Sequence, residues 1–508
     1  MPSNVDGSTA APPTAHKMYV GGAWVDAADG GTEQVLSPAT REPLATVPAG
    51  GAADVDAAVQ AAHAALAGPW GAMPPVGRAQ VLRRLSQLVA EHADELAQLE
   101  SANVGKPIKE AVALDVPAAA GVLDYYAGWA DKAYGRTIPQ SLMPVLNYTL
   151  REPIGVVGAI VPWNFPLAIA LWKVAPALAT GNAVVLKPSE LTPLSILRFG
   201  ELAEEAGLPP GALNLVTGTG EEVGEALVRH AGVGKIAFTG STEVGRRIME
   251  LAAPTLKKLT LECGGKSPNI VFADADLDRA VDATLFGIFA NQGEVCAAGS
   301  RLLVEDSIHD EVVERLAAKA RELVVGDPAS PDTDLGPLIS DEHFDKVEGL
   351  VGQGIAAGAK VVVGGRAAKV DGLAGAFFEP TILDEVDNSM AVAQQEIFGP
   401  VLSTIGFADE AEAVRIANDT MYGLVANVHT ENVRRAHAVA AGLQCGTVFV
   451  NLPPIPFVES PMGDYKQSGI GKDLGPDAVN GYLLTKSVFV DMTPPGMHFR
   501  WYGAAPEA

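Results

Sequence analysis

The sequence predicts an α/β fold built from two doubly wound parallel sheets, with a small β extension beside them. Three observations predict it. Apolar runs of strand length alternate with amphipathic runs of helix length from about Ile154 to Ala253. The alternation begins again at SPNIVFADADLD, from Ser267, and lasts to GTVFVN, ending at Asn451. The late strand-like segment TKSVFVDM (Thr485–Met492) has no hairpin partner close in sequence, and NYTLREP (Asn147–Pro153) is a strand it could pair with. A chain of 508 residues also exceeds what one core normally organises, so at least two folding units are expected.

Taken in order, residues 1–16 are small and polar and read as a flexible tail without the basic start and apolar centre of a signal peptide. KMYVGGAWV (Lys17–Val25) is a hairpin around Gly21-Gly22. From Gly51 to about Val104 the pattern is helical: Leu82, Leu85, Val89, Leu96 and Leu99 share a face, with Arg83, Arg84, Glu91 and Glu95 outside it. Another helix covers Leu123–Gly135, ended by Gly135 and Pro139. GVVGAIV is a strand broken at Pro162, and PLAIALWKVAPALATG is a helix with a kink at Pro176. AVVLKP is a strand, and the next helix has Thr192 as its cap and Pro193 in its first turn. LNLVTG and KIAFTG are strands, with EEVGEALVRHA and STEVGRRIMELAA as helices after them. In the second unit KVVVGG and PVLSTIGF join the strands, while NYTLREP and TKSVFVDM pair with each other or with another subunit.

Composition narrows the function classes. Apolar residues at 48% and charged residues at 19% describe a soluble globular chain. A net charge of −25 argues against nucleic acid and against an anionic membrane surface as partner. The apolar run Ile154–Val161 is too short to span a bilayer. Three cysteines without a C-x-x-C pair support neither a disulfide framework nor a zinc site; no metal is called for, and reduced thiols point to the cytoplasm.

Several short stretches carry candidate chemistry. GTGEEVG (Gly218–Gly224) is spaced GxGxxxG, and a plain turn followed by a helix is the better reading. FTGSTEVG (Phe238–Gly245) follows an apolar strand and opens a helix, so its free N–H groups and the Ser241 hydroxyl suit an anion. In VLKPSE, Lys187 and Glu190 could both bond a ribose diol, though a solvated loop is the better reading of the stretch in isolation. Cys296 in NQGEVCAAGS is either a compact hydrophobe or a thiol held open for reaction, which needs help toward the thiolate because a free thiol has a pKa of about 8.5. Glu262 in TLECGGKSP is a solvated strand end or a general base, with Gly264-Gly265 leaving it room. Asn164, between two prolines in VPWNFP, is a turn residue or an oxyanion donor.

Together these stretches resemble the NAD(P)-dependent, non-phosphorylating aldehyde dehydrogenase superfamily. The resemblance runs from about Lys17 to Val490 on PWNFP, KPSE, FTGSTEVG, LECGGKSP, GEVCAAGSR, EIFGPV, NDTMYGL and DYKQSGIGKD, in that order. It implies that Cys296 attacks the aldehyde carbon while Asn164 and the Cys296 N–H hold the oxyanion. Glu262 then activates the water that hydrolyses the thioester. It implies cofactor contacts from Pro162, Trp163, Asn164, Lys187, Ser189, Glu190, Gly220, Phe238, Thr239, Gly240, Ser241, Gly245, Leu261, Gly264, Glu396 and Phe398. The Glu190 carboxylate favours NAD over NADP because it repels a 2′-phosphate. Lys173 and Asp473 match a proton relay of some relatives; Asp473 is one methylene shorter than the glutamate that several carry, which leaves the relay undecided.

The family fold implies a Rossmann-like NAD-binding domain over 17–134 and 154–264 and a catalytic domain over 265–466. It also implies oligomerisation strands over 135–153 and 482–497, hence a homodimer or homotetramer. Phe165, Ile169, Trp172, Val295, Ala297, Phe457 and Met462 are candidate walls of a substrate pocket, suited to an aromatic or medium aliphatic aldehyde; core packing explains several of them equally. Asp464, Asp473 and Glu459 leave an aminoaldehyde or betaine aldehyde as the alternative. A CoA-acylating or phosphorylating relative would use another acceptor than the water Glu262 serves. A catalytically silent protein on the same fold would be expected to lose Cys296, Glu262 or Asn164, and all three are present.

Overall fold

The computed structural model describes residues 14–496. Its first large sheet has eight strands, in the order Gly469–Ile470, Lys258–Glu262, Lys235–Thr239, Val156–Ile160, Ala183–Lys187, Leu213–Leu215, Met18–Val20, Ala23–Val25. The five from Lys258–Glu262 to Leu213–Leu215 are parallel. Val156–Ile160, Ala183–Lys187 and Lys235–Thr239 bury every residue, as a strand covered by helices on both faces must. The chain moves outward from Val156–Ile160 to Leu213–Leu215, then returns to lay Lys235–Thr239 on the other flank. That reversal opens a crevice beyond the carboxyl ends of Val156–Ile160 and Lys235–Thr239.

The second sheet has seven strands, in the order Lys360–Val363, Thr381–Asp384, Val401–Phe407, Arg301–Glu305, Pro268–Val271, Val425–His429, Thr447–Val450, antiparallel only at its Lys360–Val363 edge. Cys296 lies just before Arg301–Glu305, at the amino end of this sheet. Glu262 ends a strand of the first sheet and Asn164 follows another, so both lie at the carboxyl ends of that sheet's strands. Beyond the second sheet the chain returns: Gly469–Ile470 pairs antiparallel with Leu261 and Glu262, and Leu474, Val479 and Tyr482 bury in the first core.

NYTLREP and TKSVFVDM pair with each other. Leu483–Asp491 runs antiparallel to Val145–Pro153 along its whole length, with Thr137–Ile138 as a third strand. Leu146, Leu150, Leu484, Phe489 and Val490 stay exposed on this small sheet. Among the described residues no helix is long and apolar enough to cross a membrane.

Some sequence expectations are corrected. Residues 1–13 of the expected tail, and Met497 of the late segment, lie outside the described residues, but Thr14–Ala15 is a strand paired in parallel with Ala45 and Thr46. Backbone pairing needs no apolar side chain, so composition did not mark it. The helix expected over Leu123–Gly135 is Val116–Ala127, ended by Gly128, whose N–H bonds back to Asp124 and Tyr125. Trp129 and Ala133 beyond it still pack against the same core, but as turn and irregular chain rather than helix. The helix expected to be capped by Thr192 is Leu194–Glu205, with Pro193 at the cap position. Asn103, from a distant helix, accepts the Leu194 N–H at 3.2 Å, a tertiary cap that local sequence does not reveal.

Candidate active site

The loop carrying Cys296 is built on unusual backbone. After the helix Leu277–Phe289, Asn291 (φ 47°), Gln292 (φ 55°) and Gly293 (φ 73°) are consecutively left-handed. Two non-glycine residues in that region hold only when their surroundings over-determine them. Glu110 accepts the Asn291 N–H at 2.8 Å, Gln292 accepts the Gly336 N–H at 3.3 Å, and the buried Glu294 carboxyl accepts the Ile339 N–H at 3.0 Å. At Gly293 a Cβ would come 2.2 Å from the Gly399 carbonyl, so only glycine lets the EIFGP turn pack there.

This loop presents the half-buried Cys296 to two cavities. One is an apolar tunnel of about 350 Å³. The structure brings Phe165, Ile169, Trp172, Val295, Ala297, Phe457 and Met462 onto its wall. The other is a crevice of about 180 Å³ at the reversal of the first sheet, lined by Pro162, Trp163, Asn164, Thr239, Gly240, Ser241, Gly264, His343, Lys346, Glu396 and Phe398 as well as Cys296. Burial, with the Glu396 and Glu262 carboxylates adding to it, pushes the Cys296 thiol up to about 12. The resting sulfur is therefore protonated near neutral pH.

Asn164 is buried after the strand Val156–Ile160 and donates one amide hydrogen to the Glu294 carbonyl at 2.8 Å. Asn291 donates to the Asn164 carbonyl at 3.1 Å, which ties the amide to the cysteine loop. Glu262 ends the strand Lys258–Glu262, is 5% exposed, and neither carboxyl oxygen has a protein partner. Burial raises its pKa well above the ordinary carboxylate value; the Asp473 charge adds to the rise and Lys173 opposes it.

The room for Glu262 does not come from Gly264-Gly265, as expected from sequence. Gly463 supplies it: a Cβ there would sit 1.9 Å from Glu262 Oε1. Gly264 instead makes way for Glu396 (2.4 Å to Oε2) and Gly265 for the Cys296 carbonyl (2.3 Å). The glycine that matters to Glu262 lies two hundred residues away, out of reach of local reading.

Behind Glu262, Lys173 Nζ bonds Asp473 Oδ2 at 2.6 Å with both side chains fully buried. The shorter aspartate does reach Lys173, and its backbone is bridged to that of Met462 on the tunnel wall. Removing either partner alone would leave an uncompensated buried charge, which generally destabilises by about 3–5 kcal/mol. Asp464 is exposed and does not line the tunnel; its carboxylate accepts the Gly471 N–H at 3.2 Å.

The crevice suits a dinucleotide on observations of the chain itself. Ser241 caps the helix Thr242–Ala252, accepting the Val244 N–H at 3.1 Å, so a helix N-terminus lies beside the crevice. Thr239 Oγ1 is buried there without a partner. Lys187 and Glu190 pair at 2.7 Å beyond the strand Ala183–Lys187, outside the lining of this crevice. Ser189 is buried beside them, and Gly220 opens a π-helical segment, Gly220–Gly224, rather than the plain turn expected; the Thr219 side chain caps it by accepting the Glu222 N–H, and the helix Glu225–Arg229 follows. Phe238, Gly245 and Leu261 lie in the packing layer behind the crevice: the Phe238 ring fills the space over Gly240, and Gly245 faces the Cys263 sulfur.

Sequence reasoning missed Glu110, Asp115, Glu294, His343 and Lys346. His343 donates from Nε2 to the Phe398 carbonyl at 2.6 Å and stands edge-on to Trp163, 5.4 Å between ring centres. Burial pulls it down to about 4, so it is neutral. It sits on an ordinary amphipathic helix, Asp341–Ala356, and nothing in the local pattern singles it out.

Two doubly wound sheets meeting around a cysteine, a buried carboxyl group and an amide are the architecture of an α/β oxidoreductase. The chain belongs to the aldehyde dehydrogenase family, whose pattern matches residues 24–488. A putative aldehyde dehydrogenase of Bacillus subtilis (strain 168) is 47% identical over 477 residues, covering 94% of this chain and 96% of that protein. A betaine aldehyde dehydrogenase of Staphylococcus aureus in complex with NAD+ superposes with a TM-score of 0.93 at 40% identity, over 96% of this chain and 97% of that one. A mutant indole-3-acetaldehyde dehydrogenase of P. syringae in complex with NAD+ and IAA superposes with a TM-score of 0.92 at 42% identity, over 94% of this chain and 97% of that one.

Proposed function

We propose that this chain oxidises an aromatic or medium aliphatic aldehyde to its carboxylic acid, with NAD bound in the crevice. The observation that carries the reading is that Cys296 belongs to the walls of both the apolar tunnel and the polar crevice. The carbonyl carbon enters from one side and its hydrogen leaves toward the other. Residues 17–134 and 154–264 serve as the NAD-binding domain and 265–466 as the catalytic domain. Three free cysteines favour a cytoplasmic setting. The exposed apolar face of the sheet formed by Leu483–Asp491 and Val145–Pro153 suits a homodimer or homotetramer.

The Cys296 proton passes to water as the sulfur attacks the carbonyl carbon, and Glu262 stays ionised for the hydrolysis that follows. The second amide hydrogen of Asn164 and the Cys296 N–H hold the oxyanion of the thiohemiacetal. NAD+ held in the crevice beside Trp163, Glu396 and Phe398 would supply the acceptor for the hydrogen that leaves with its electron pair, which would leave the acyl group on the Cys296 sulfur as a thioester. Glu262 then draws a proton from water, which displaces the sulfur and releases the acid; the Lys173–Asp473 pair behind it is placed to pass that proton on. The tunnel volume sits near the lower end of the range for small-molecule pockets, and its wall is mostly apolar, which supports the substrate class. Spectrophotometry at NADH's absorbance with benzaldehyde, phenylacetaldehyde, hexanal and betaine aldehyde tests the reading. NADH from none of the four would refute it; betaine aldehyde as the preferred substrate would overturn the apolar class.

Asn164→Ala is expected to lower kcat by about 10²- to 10³-fold with little change in aldehyde KM, because its free hydrogen acts on charge that develops only after attack. Steady-state kinetics checks this split. Glu190→Gln is expected to raise kcat/KM for NADP+ relative to NAD+ by about tenfold, since it removes a like charge from a 2′-phosphate. An unchanged ratio would take Glu190 out of cofactor choice.

A further inference from the structure

The tunnel wall is apolar except at a few places, and its charged lining residues are Glu110, Asp115 and Glu459, all acidic. They are not equivalent. Asp115 is tied to the buried Lys106, and Glu459 is exposed where solvent screens it. Glu110 is half-buried, and among the described residues no Lys, Arg or His nitrogen lies within 4.0 Å of its carboxylate.

Glu110 also begins a chain of hydrogen bonds that leads from the tunnel to the oxyanion donor. Its Oε2 accepts the Asn291 N–H at 2.8 Å. The Asn291 amide donates to the Asn164 carbonyl at 3.1 Å and to the Glu294 carbonyl at 3.3 Å. The Glu294 carbonyl in turn accepts from Asn164 Nδ2 at 2.8 Å, leaving the other Asn164 hydrogen to point elsewhere. Asn291 is left-handed without being glycine, so its conformation depends on bonds such as this one.

We propose that Glu110 is a positioning residue for the oxyanion donor Asn164 and that its charge excludes aldehydes carrying a carboxylate from the tunnel. This rests on the reading that Cys296 acts on an aldehyde. Burial and the Asp115 charge raise the Glu110 carboxyl, and the Asn291 N–H with Lys106 and Lys109 lower it, leaving it at about 7. At pH 8 the charged form therefore prevails. A carboxylate on the substrate would meet that charge on a wall with no Lys or Arg among its lining residues, so neutral-tailed aldehydes are the class that fits.

Two variants separate the roles. Glu110→Gln keeps an oxygen for the Asn291 N–H and removes the charge; Glu110→Leu removes both. At pH 8 the wild type is expected to favour hexanal over adipic semialdehyde by at least about tenfold in kcat/KM. Glu110→Gln should narrow that preference by about tenfold while lowering kcat for hexanal less than Glu110→Leu does. Glu110→Leu should lower kcat for hexanal by about tenfold or more, with NAD+ affinity unchanged.

An unchanged preference in Glu110→Gln overturns the charge filter, and wild-type kcat in Glu110→Leu overturns the positioning role. A measurement without turnover keeps both testable if a variant is unstable. With NAD+ present, alkylation of Cys296 by iodoacetamide is compared with alkylation by iodoacetate, with Cys445 as the internal reference. Glu110→Gln should raise the iodoacetate rate relative to iodoacetamide at Cys296 alone; an equal ratio in both proteins rejects the filter. Absence of NADH from hexanal in the wild type would instead refute the functional reading, which the alkylation ratio does not depend on.

Discussion

Cys296→Ala is expected to abolish aldehyde oxidation, lowering kcat by at least about 10⁴-fold, while NAD+ binding stays within about twofold of the wild type. The size of the effect follows from the route: with no sulfur there is no thiohemiacetal, and no other cysteine lies on the tunnel or crevice walls given for the site. The small effect on binding follows from the electrostatics. The thiol is pushed up to about 12 and is neutral at rest, so its removal changes no charge in the crevice. Removing one sulfur from a half-buried position beside open cavities also leaves the fold nearly untouched. Trp163 lines the crevice and gives a fluorescence signal for the binding half of the test. Turnover in this variant at even a hundredth of the wild-type rate would end the assignment of Cys296 as nucleophile.

Glu262→Gln is expected to release about one NADH per active site rapidly and then turn over about 10²- to 10⁴-fold more slowly than the wild type, the range a general base usually contributes. The amide keeps the shape that packs under Gly463 and still accepts a hydrogen bond, but it takes no proton from water. The pH profile provides a second signature. Burial raises the Glu262 carboxyl well above the usual carboxylate range, with Asp473 adding to the rise. The base acts only when ionised, so kcat should be full above that raised pKa and fall about tenfold per pH unit below it. In the wild type the falling limb should therefore lie far above pH 4.5, and it should be missing from Glu262→Gln. Linear progress curves without a burst, or the same acidic limb in both proteins, would assign the base to another group. Because Lys173 opposes the rise, a variant that removes its charge should move the wild-type limb upward.

Much of this was legible in the sequence, for identifiable reasons. Sheet strands such as VVGAI and KIAFT are continuous apolar runs because helices cover both faces, and such runs survive reading in one dimension. The alternation of these runs with helices gave the doubly wound order. The pocket wall was partly visible because Phe165, Ile169 and Trp172 follow one another on one helix, and Val295 and Ala297 flank the cysteine. Errors gathered where the deciding partner is remote. Thr192 has the right chemistry for a cap, yet Asn103 receives the Leu194 N–H. Gly264-Gly265 adjoins Glu262 in sequence, yet Gly463 packs on its carboxyl. Glu110 carries no motif, and its place on the tunnel wall arises only because the helical segment around it packs beside the cysteine loop.

The sequence by itself determined the α/β class, the order of strands and helices, and which short stretches hold the cysteine, the carboxylate and the amide. These depend on periodicity and on residue types a few positions apart. The tertiary structure decided that Cys296 faces a tunnel and a crevice at once, that Lys173 meets Asp473 despite the shorter side chain, and that Glu110 leads to Asn164 through Asn291. Each of these depends on groups brought together from segments a hundred or more residues apart. Such meetings are set by how two sheets pack, and packing leaves no local periodic trace.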